Sequence, residues 1–361
     1  MTTTLLYIII NKQKSQKETK FPMFFESKKT VLGVDVGTSN IKIAEVSFTN
    51  PSSPMLSTYG IVNLPFEPKD KDRAANLPRI AKVLKNLCLK AGVSTKRCVI
   101  SLPNSAVFTS VIELPKMSQA ELATAVEFEA KKYVPLALAD IDLSWSVIEE
   151  KDSKQLNQKI LLTAVPKQIT KDYMDIFAFA GLEPFVGEIE ALALIRSLIG
   201  TRSTNCVIID IGAKNTGINI IEKGFLRLSR NLNIGGETIT KKIAQTLNVS
   251  VVRAEQFKKD FGVTSGTFLP ETVKPVLALI KNEVKQLFTI FQSHNAQLDE
   301  IILVGGGANM PGIVEFFSDL NVPVALGNPL QSVSYSEQLA EILKRYALSL
   351  SISIGLALRR E

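Results

Sequence analysis

Two stretches of the chain, about 175 positions apart, repeat one pattern of residues. One is "VLGVDVGTSNIKIAEV" from Val31 to Val46, and the other is "CVIIDIGAKNTGINII" from Cys206 to Ile221. Each has an apolar run, an aspartate, an apolar residue, a glycine, a small polar tip and a second apolar run. This order indicates a strand, a tight turn and a returning strand. The repeat predicts two related lobes that each open with the same hairpin.

Strand-like segments alternate with helix-like ones along the 361 residues, which predicts an α/β fold. With 45% hydrophobic residues, the chain can bury a sizeable core. The predicted strands are 31–36, 41–48, 98–102, 106–114, 142–148, 159–165, 206–211, 216–221, 225–228 and 300–304.

The segment between the two hairpins does not follow the repeat. Ser118 followed by Glu121 predicts a capping box at a helix start, and a second helix at about 170–180 is predicted to end at Gly181. We therefore expect a small inserted α+β subdomain. The predicted division is 31–94, 183–204 and 345–361 for the first lobe, 95–182 for the inserted subdomain, and 205–344 for the second lobe.

The two ends of the chain carry short apolar runs. The run Leu5–Ile10 is far shorter than the roughly 20 residues that span a bilayer, so residues 1–30 are predicted to be a disordered extension. A sharper hypothesis is that translation starts at Met23. The segment "YALSLSISIGLAL" at 346–358 predicts a buried helix that packs on a sheet.

Charge and cysteine content exclude several functions. The net charge of +7 is spread along the chain without a basic block, which argues against nucleic-acid binding and is compatible with an anionic membrane surface nearby. Cys88, Cys98 and Cys206 lie far apart in apolar segments, so neither a disulfide framework nor a zinc site is predicted. A reducing cytosol fits this cysteine usage.

The two hairpin tips carry residues suited to a phosphate and a cation. A glycine turn at a strand end exposes backbone N–H groups to phosphate, whereas an aspartate before the turn can act only through a cation. Asp35 and Asp210 are therefore predicted to hold the waters of Mg²⁺. A single hairpin of this kind would be ordinary turn chemistry, but two favour a ligand. The candidate cofactor-binding residues are Gly37, Thr38, Ser39, Asn40, Lys42, Gly212, Ala213, Lys214, Asn215 and Thr216.

A third segment, "IILVGGGANMPGI" at 301–313, ends a predicted buried strand in three glycines. Backbone without side chains can approach a flat ring or a phosphate closely, although one glycine would satisfy a tight turn. The candidates here are Gly305, Gly306, Gly307, Ala308 and Met310. The chain has no GxxxxGK[ST] motif, and Met310 stands where GxGxxG needs its last glycine, so a nucleotide must use the two hairpins.

With these residues in place, the chain resembles the superfamily of actin, Hsp70 and sugar kinases, whose ribonuclease H-like lobes hold ATP and Mg²⁺ in a cleft. The resemblance implies that the two hairpins are phosphate loops and that 301–313 contacts adenosine. It also implies that Glu255 and Lys258 reach the ribose, and that Glu190 lies near the metal or the attacking water, with Asp210 as a second catalytic candidate. The segments "GGETITKKIA", with Gly235 and Gly236, and "AEQFKKDFG" are similar to those that close over base and ribose.

Within that superfamily, four segments resemble the PilM family of type IV pilus assembly proteins, relatives of the division protein FtsA. They are "SLPNSAVFTSVIELPKMSQAEL", "EFEAKKYVPLALADIDLSWSVI", "LLTAVPKQITKDYMDIFAFAGLEPFVGEIEALAL" and "SISIGLALRR". The resemblance implies a cytoplasmic ATP-binding adaptor, peripheral to the inner membrane, that docks the cytoplasmic N-terminal tail of PilN on its inserted subdomain and links it to the pilus motor ATPase.

Two other functions remain open at this stage. One is an FtsA-like filament-forming or otherwise homo-oligomeric protein, against which the absence of a C-terminal amphipathic helix argues. The other is a small-molecule kinase, for which the inserted segment offers no second polar cluster. We expect at most a weak ATPase, because no side chain stands out as a strong general base.

Overall fold

The computed structural model describes residues 29–50, 53–66, 73–148, 156–264, 266, 270–292 and 297–360. The predicted extension 1–30 and the alternative start Met23 lie outside these residues, except that Lys29 and Thr30 open the first strand. The strands are β1 (Lys29–Val36), β2 (Asn40–Asn50), β3 (Ser53–Asn63), β4 (Arg97–Leu102), β5 (Phe108–Pro115), β6 (Ile141–Ile148), β7 (Asn157–Pro166), β8 (Glu183–Ile189), β9 (Cys206–Ile211), β10 (Thr216–Glu222), β11 (Phe225–Leu232), β12 (Glu300–Val304) and β13 (Val324–Leu326).

Helices follow or separate these strands. Pro166 precedes one helix, and Gly181 ends it in the left-handed conformation at a φ of 79°. The helices are α1 (Arg73–Ala91), α2 (Gln119–Tyr133), α3 (Lys167–Ala180), α4 (Glu190–Leu198), α5 (Gly236–Leu247), α6 (Val251–Phe261), α7 (Pro270–Gln292), α8 (Ile313–Phe317), α9 (Ala340–Tyr346) and α10 (Ser351–Ala357). Within the described ranges, none of these helices is both long and apolar enough to cross a bilayer.

The two five-stranded sheets have the same construction. The first has the order β3-β2-β1-β4-β8, and the second has the order β11-β10-β9-β12-β13. In each sheet a three-stranded antiparallel unit continues into two parallel strands. The hairpins β1–β2 and β9–β10 occupy the same place in their sheets. The internal repeat predicted from the sequence is therefore confirmed at the level of sheet topology.

The inserted unit is narrower than 95–182. Its three-stranded sheet has the order β5-β7-β6 and is covered by α2, whose Leu122 and Val126 are buried against it. At one boundary, β4 pairs with β1 and β8 and so belongs to the first-lobe sheet. At the other boundary, α3 packs on α1 and adds Phe177 to the first-lobe core. The separate sheet, which we call the insert, therefore covers residues 108–166.

The C-terminal segment closes the first lobe. All seven residues of α10 are buried, and the helix packs on β1, β2 and α4. Gly355 is required at one crossing, because a Cβ there would overlap the carbonyl oxygen of Ala193 on α4. The guanidinium groups of Arg196 and Arg359 both donate to the buried carboxylate of Glu188, which ties α4, α10 and β8 together. The prediction of a buried helix at 346–358 is confirmed for 351–357, whereas Ala347–Leu350 form a 3₁₀ turn and Tyr346 is exposed.

Candidate functional site

The ends of the two hairpins meet across a cleft between the lobes. A cavity there is lined by residues of both tips, the glycine segment, the start of α4 and the residues just before α10. The predicted site residues that line it are Asp35, Gly37, Thr38, Ser39, Asn40, Lys42, Glu190, Asp210, Gly212, Ala213, Asn215, Gly305 and Gly306.

The two tips are built in the same way. The backbone N–H of Gly37 donates to the carbonyl of Asn40 at 3.0 Å, and the N–H of Gly212 donates to the carbonyl of Asn215 at 2.9 Å. Both bonds close a four-residue turn at the end of a hairpin. A Cβ at Gly212 would lie 2.9 Å from the Asn215 carbonyl oxygen, so the turn is tight enough to favour glycine.

Strand pairing fixes the partner of the first aspartate. Asp35 is directly opposite Lys42 in the antiparallel register of β1 and β2, and the Lys42 ammonium donates to its carboxylate at 2.9 Å. Ser101, on the neighbouring strand β4, donates its hydroxyl to the other carboxylate oxygen at 2.8 Å. Asp35 is 2% exposed, so these two bonds compensate for the burial of its charge.

Three carboxylates share this one lysine. Burial disfavours the Lys42 charge, but the carboxylates of Asp35, Asp210 and Glu190 outweigh it and raise the lysine pKa above its usual value. Burial raises the pKa of Glu190 well above that of a free glutamate, and repulsion from Asp35 and Asp210 adds to the effect. Burial, together with repulsion from Asp35, raises the pKa of Asp210 to about 6 despite the opposing attraction of Lys42.

The cleft brings three carboxylates together with one lysine, and this surplus of carboxylates fits a cation. Within the described ranges, no group of three or more His, Cys, Asp or Glu side chains is arranged to hold a metal ion directly. Mg²⁺ needs no such group, because it keeps several waters and takes only one or two carboxylates. Burial, with repulsion between the carboxylates, raises the pKa values of Glu190 and Asp210, and a divalent cation beside them would favour their ionised forms. The donor set therefore suits a hydrated Mg²⁺ ion.

The glycine segment has a packing role as well as a place in the cavity. Gly305 has a φ of 86°, and a Cβ on it would overlap a carboxylate oxygen of Asp210. A Cβ on Gly307 would overlap the side chain of Ile211. Only Gly306 of the three meets no close neighbour. Two of the three glycines are thus explained by close approach to β9, without reference to a ligand.

Several predicted residues lie outside the cavity lining. Thr216 donates its hydroxyl to the carbonyl of Ile234, while Ala308 and Met310 are buried. The Lys258 ammonium donates to the carbonyl of Gly236 and contacts the Glu255 carboxylate at 2.6 Å. Their roles towards a nucleotide stay predictions. The predicted residues that do not line the cavity are Lys214, Thr216, Gly235, Gly236, Glu255, Lys258, Gly307, Ala308 and Met310.

The structure also adds residues that the sequence analysis did not select. Ser39 donates its hydroxyl to the carboxylate of Glu237 in the first turn of α5, which joins the two lobes across the cleft. Asn104, in the turn after β4, and Ser349, just before α10, both line the cavity. Asn104 stands in a Pro-Asn-Ser turn that the sequence analysis read only as a link between strands. Nothing in the sequence pairs residues 39 and 237, which are 198 positions apart.

Comparison with known proteins identifies the family. The model of the family described as "Type IV pilus assembly protein PilM" matches residues 33–361. The chain belongs to the PilM family. The match includes the insert as well as both lobes, so the family relationship predicted from the middle segments is confirmed.

Individual relatives agree with this assignment. The chain is 25% identical to the PilM structure in the "PilM-PilN type IV pilus biogenesis complex", with a TM-score of 0.81 over 91% of this chain and 98% of that chain. The ethanolamine utilization protein EutJ from Carboxydothermus hydrogenoformans shares the fold, with a TM-score of 0.58 and 18% identity over 92% of this chain and 90% of that one. These likenesses confirm the predicted actin-like, two-lobed fold.

Curated relatives include the division protein FtsA. The FtsA of Streptococcus pneumoniae is 23% identical over 335 residues, which are 80% of this chain and 73% of that protein. The FtsA of Bacillus subtilis is 24% identical over 349 residues, which are 82% of this chain and 78% of that protein. This member of the PilM family is thus also related to FtsA over most of its length.

Proposed function

We propose that this PilM-family chain is an ATP-binding adaptor of a type IV pilus machine, or of a related secretion machine, which docks the cytoplasmic N-terminal tail of a PilN-like inner-membrane protein. One observation carries the proposal: the model of the PilM family matches residues 33–361, and this range includes the insert. The likeness to a PilM structure solved in complex with PilN supports the same partner.

The cleft supports nucleotide binding through its two tips. The turns at Gly37 and Gly212 present backbone to one cavity from opposite lobes, as a bound polyphosphate would require. Thr38, Ser39 and Asn40 add side chains that can hydrogen-bond phosphate oxygens. We therefore assign ATP to this cavity.

Asp35 and Asp210 would hold a hydrated Mg²⁺ ion beside the phosphates, with Glu190 next to it. When bound, the ion neutralises phosphate charge and orients the phosphate tail. The Lys42 ammonium keeps the Asp35 carboxylate in place, and Ser101 fixes its other oxygen. These contacts hold the carboxylate ready for the cation without rearrangement of the strand.

Any hydrolysis is expected to be slow. Glu190 and Asp210 are the candidates for orienting a water. Because their pKa values are raised, a larger fraction of these groups is protonated and cannot accept a proton from that water. The proposed role of ATP is chiefly conformational, because a ligand shifts a two-state protein only by its differential affinity for the states. If a small acceptor molecule raised the turnover of ATP, the kinase alternative would replace this one.

The insert is the proposed docking part. It is a separate sheet with its own core, and it is joined to the first lobe at both ends, so a peptide bound to it can respond to the lobes. Recruitment through a membrane partner's tail would place the protein at the inner membrane. By docking that tail, this chain would connect the membrane platform to the pilus motor ATPase.

The relationship to FtsA keeps filament formation as a second candidate. It rests on 23–24% identity over about four fifths of the chain. Sedimentation and electron microscopy with and without MgATP would test it. Nucleotide-dependent polymers would favour this candidate, whereas a constant small particle would leave the adaptor function.

The decisive experiment is calorimetry with a synthetic PilN-like tail peptide, with and without MgATP. We expect saturable binding that changes with nucleotide, and no binding of a scrambled peptide. Asp35→Ala should abolish MgATP binding while the far-UV circular dichroism stays unchanged. If the folded, ATP-binding protein bound no tail in either state, the adaptor function would be wrong.

A further inference from the structure

The short turn between β4 and β5 belongs to two parts of the molecule at once. β4 is a central strand of the first-lobe sheet, and β5 is the first strand of the insert. Between them, Pro103, Asn104 and Ser105 line the same cavity as Asp35 and Asp210. β5 begins at Phe108, only four residues after Asn104. A displacement of this turn must therefore move the start of the insert.

Asn104 also meets the second lobe. Gly217 lies on β10, where it is paired with Asp210 of β9 on one side and with Asn231 of β11 on the other. The amide nitrogen of Asn104 would be 3.4 Å from a Cβ on Gly217, so it packs against bare backbone there. In the part of the chain that the structure describes, this half-buried amide has no hydrogen-bond partner.

The insert itself also contacts the second lobe, at the hairpin formed by β10 and β11. β5 packs beside β11. A cavity of about 240 Å³ is lined by residues of both strands, Thr109–Val111 of β5 and Leu226–Ser229 of β11. Asn231, at the far end of β11, lines the nucleotide cavity. The β10–β11 hairpin therefore lines the nucleotide cavity with Gly217 and Asn231, and it faces the insert with residues 226–229 of β11.

We propose that Asn104 is a positioning residue that transmits occupancy of the nucleotide cavity to the insert. This inference rests on the proposed ATP-binding adaptor function and deepens it. An amide carries both a donor and an acceptor and adds no charge beside the three carboxylates, so it can bond a phosphate oxygen or an ordered water. Once bonded, it fixes the turn, and the turn fixes the start of β5. The path is a contiguous chain of packed residues, and packed side chains and rigid elements of this kind can carry energetic coupling between two sites.

Hydrogen exchange tests the proposal directly. Amide exchange in β5, residues 108–115, is measured by mass spectrometry with and without MgATP in the wild type, in Asn104→Ala and in Asn157→Ala, an exposed asparagine at the start of β7. We expect MgATP to slow exchange in β5 of the wild type and of Asn157→Ala. In Asn104→Ala the effect should be lost, while MgATP affinity falls by no more than about a hundredfold, the worth of one hydrogen bond to a charged group.

A second variant separates charge from geometry. Asn104→Asp keeps the size of the side chain but adds a fourth carboxylate to the cavity, so MgATP affinity should fall further than in Asn104→Ala. For the tail peptide, affinity without nucleotide should be unchanged in Asn104→Ala, and the ratio of affinities with and without MgATP should approach 1.

Three results would overturn the proposal. Asn104→Ala could retain the wild-type exchange response in β5. The wild type could bind MgATP by calorimetry and yet show no exchange change in β5, which would leave ATP binding intact and remove the coupling. If calorimetry detected no MgATP binding to the wild type, the nucleotide half of the proposed function would fail, and this inference with it.

Discussion

At the scale of single residues, the cleft is governed by how buried charges are compensated. Asp35 has a lysine opposite it in the strand register and a serine hydroxyl from the next strand. In the part of the chain that the structure describes, the carboxylates of Asp210 and Glu190 have no hydrogen-bonded side-chain partner of this kind. Burial raises the pKa of both. In the proposed function, these groups would bind a cation. That role explains why the chain has carboxylates whose charges destabilise the folded protein.

Asp210→Asn is expected to stabilise the protein above pH 6 when EDTA is present. The pKa of Asp210 is raised to about 6 in the folded protein, so ionisation costs stability as the pH rises through that value. The amide never ionises, so at pH 8 the free energy of unfolding should increase by up to about 3 kcal/mol. Thermal denaturation at pH 3, 5 and 8 measures the difference, which should be about half as large at pH 5 as at pH 8 and should nearly vanish at pH 3, below the usual carboxyl pKa of 3.8. A variant less stable than the wild type at pH 8 would contradict this prediction.

The three cysteine thiols are expected to react slowly in the folded protein. Burial raises the pKa of Cys88 to about 11, with a contribution from Glu45, and burial raises that of Cys206 to about 12. Cys98 is fully buried, and its pKa is raised well above the usual value. Since only the thiolate is alkylated, iodoacetamide at pH 7.5 should modify the native protein far more slowly than the urea-unfolded one. Equal rates, followed by mass spectrometry, would contradict this expectation.

At the scale of elements, the three unpredicted strands share one property. β3, β8 and β13 are three of the four edge strands of the two large sheets; the fourth, β11, was predicted in part, at 225–228. β8 contains Pro184 and Gly187, and β13 has only three residues. Edge strands tolerate proline and irregular patterns because only one side of their backbone is paired. The hydrophobic alternation that reveals a central strand is correspondingly weak in them.

The crossing of α10 over α4 provides a test of close packing. Gly355→Ala should lower the free energy of unfolding by at least about 1–3 kcal/mol, because its Cβ would overlap the Ala193 carbonyl oxygen. Gly187→Ala is the matched control, since its Cβ would lie 3.6 Å from its nearest neighbours, an ordinary contact. Urea denaturation curves compare the two. Similar stabilities would show that the α4–α10 contact can relax.

At the scale of the whole molecule, the lobes are joined across the cleft as well as through the chain. Ser39 at the first tip donates to Glu237 on α5, and the backbone N–H groups of Gly236 and Glu237 donate to carbonyls of the second tip. The start of α5 is therefore bonded to both tips. Any movement of one lobe relative to the other must act on these contacts.

Ser39→Ala is expected to loosen the closed arrangement of the lobes. A hydrogen bond to a carboxylate contributes about 1.5–3 kcal/mol, so amides at 37–40 and 235–239 should exchange roughly tenfold faster or more. Ser318→Ala, which removes only a local bond to the Glu315 carbonyl, is the control. Exchange as slow as in the wild type would show that the Ser39 bond does not hold the lobes together.

The family was indicated by the resemblance of four segments to PilM sequences. The sequence by itself determined the repeated hairpins, the α/β class, ten of the strands and the positions of both tips. These follow from local patterns, since period-two alternation, turn glycines and a capping box act within a few residues. The capping box is formed as predicted, with Ser118 and Glu121 bonded to each other's backbone N–H.

Only the tertiary structure decided which distant residues meet. The bond from Ser39 to Glu237, the contact of Asn104 with Gly217 and the extent of the insert depend on how three sheets pack. The same packing raises the pKa values of Glu190 and Asp210, because it buries them beside Asp35. Burial and through-space charge depend on positions in space, and no pattern within one segment of the sequence encodes them.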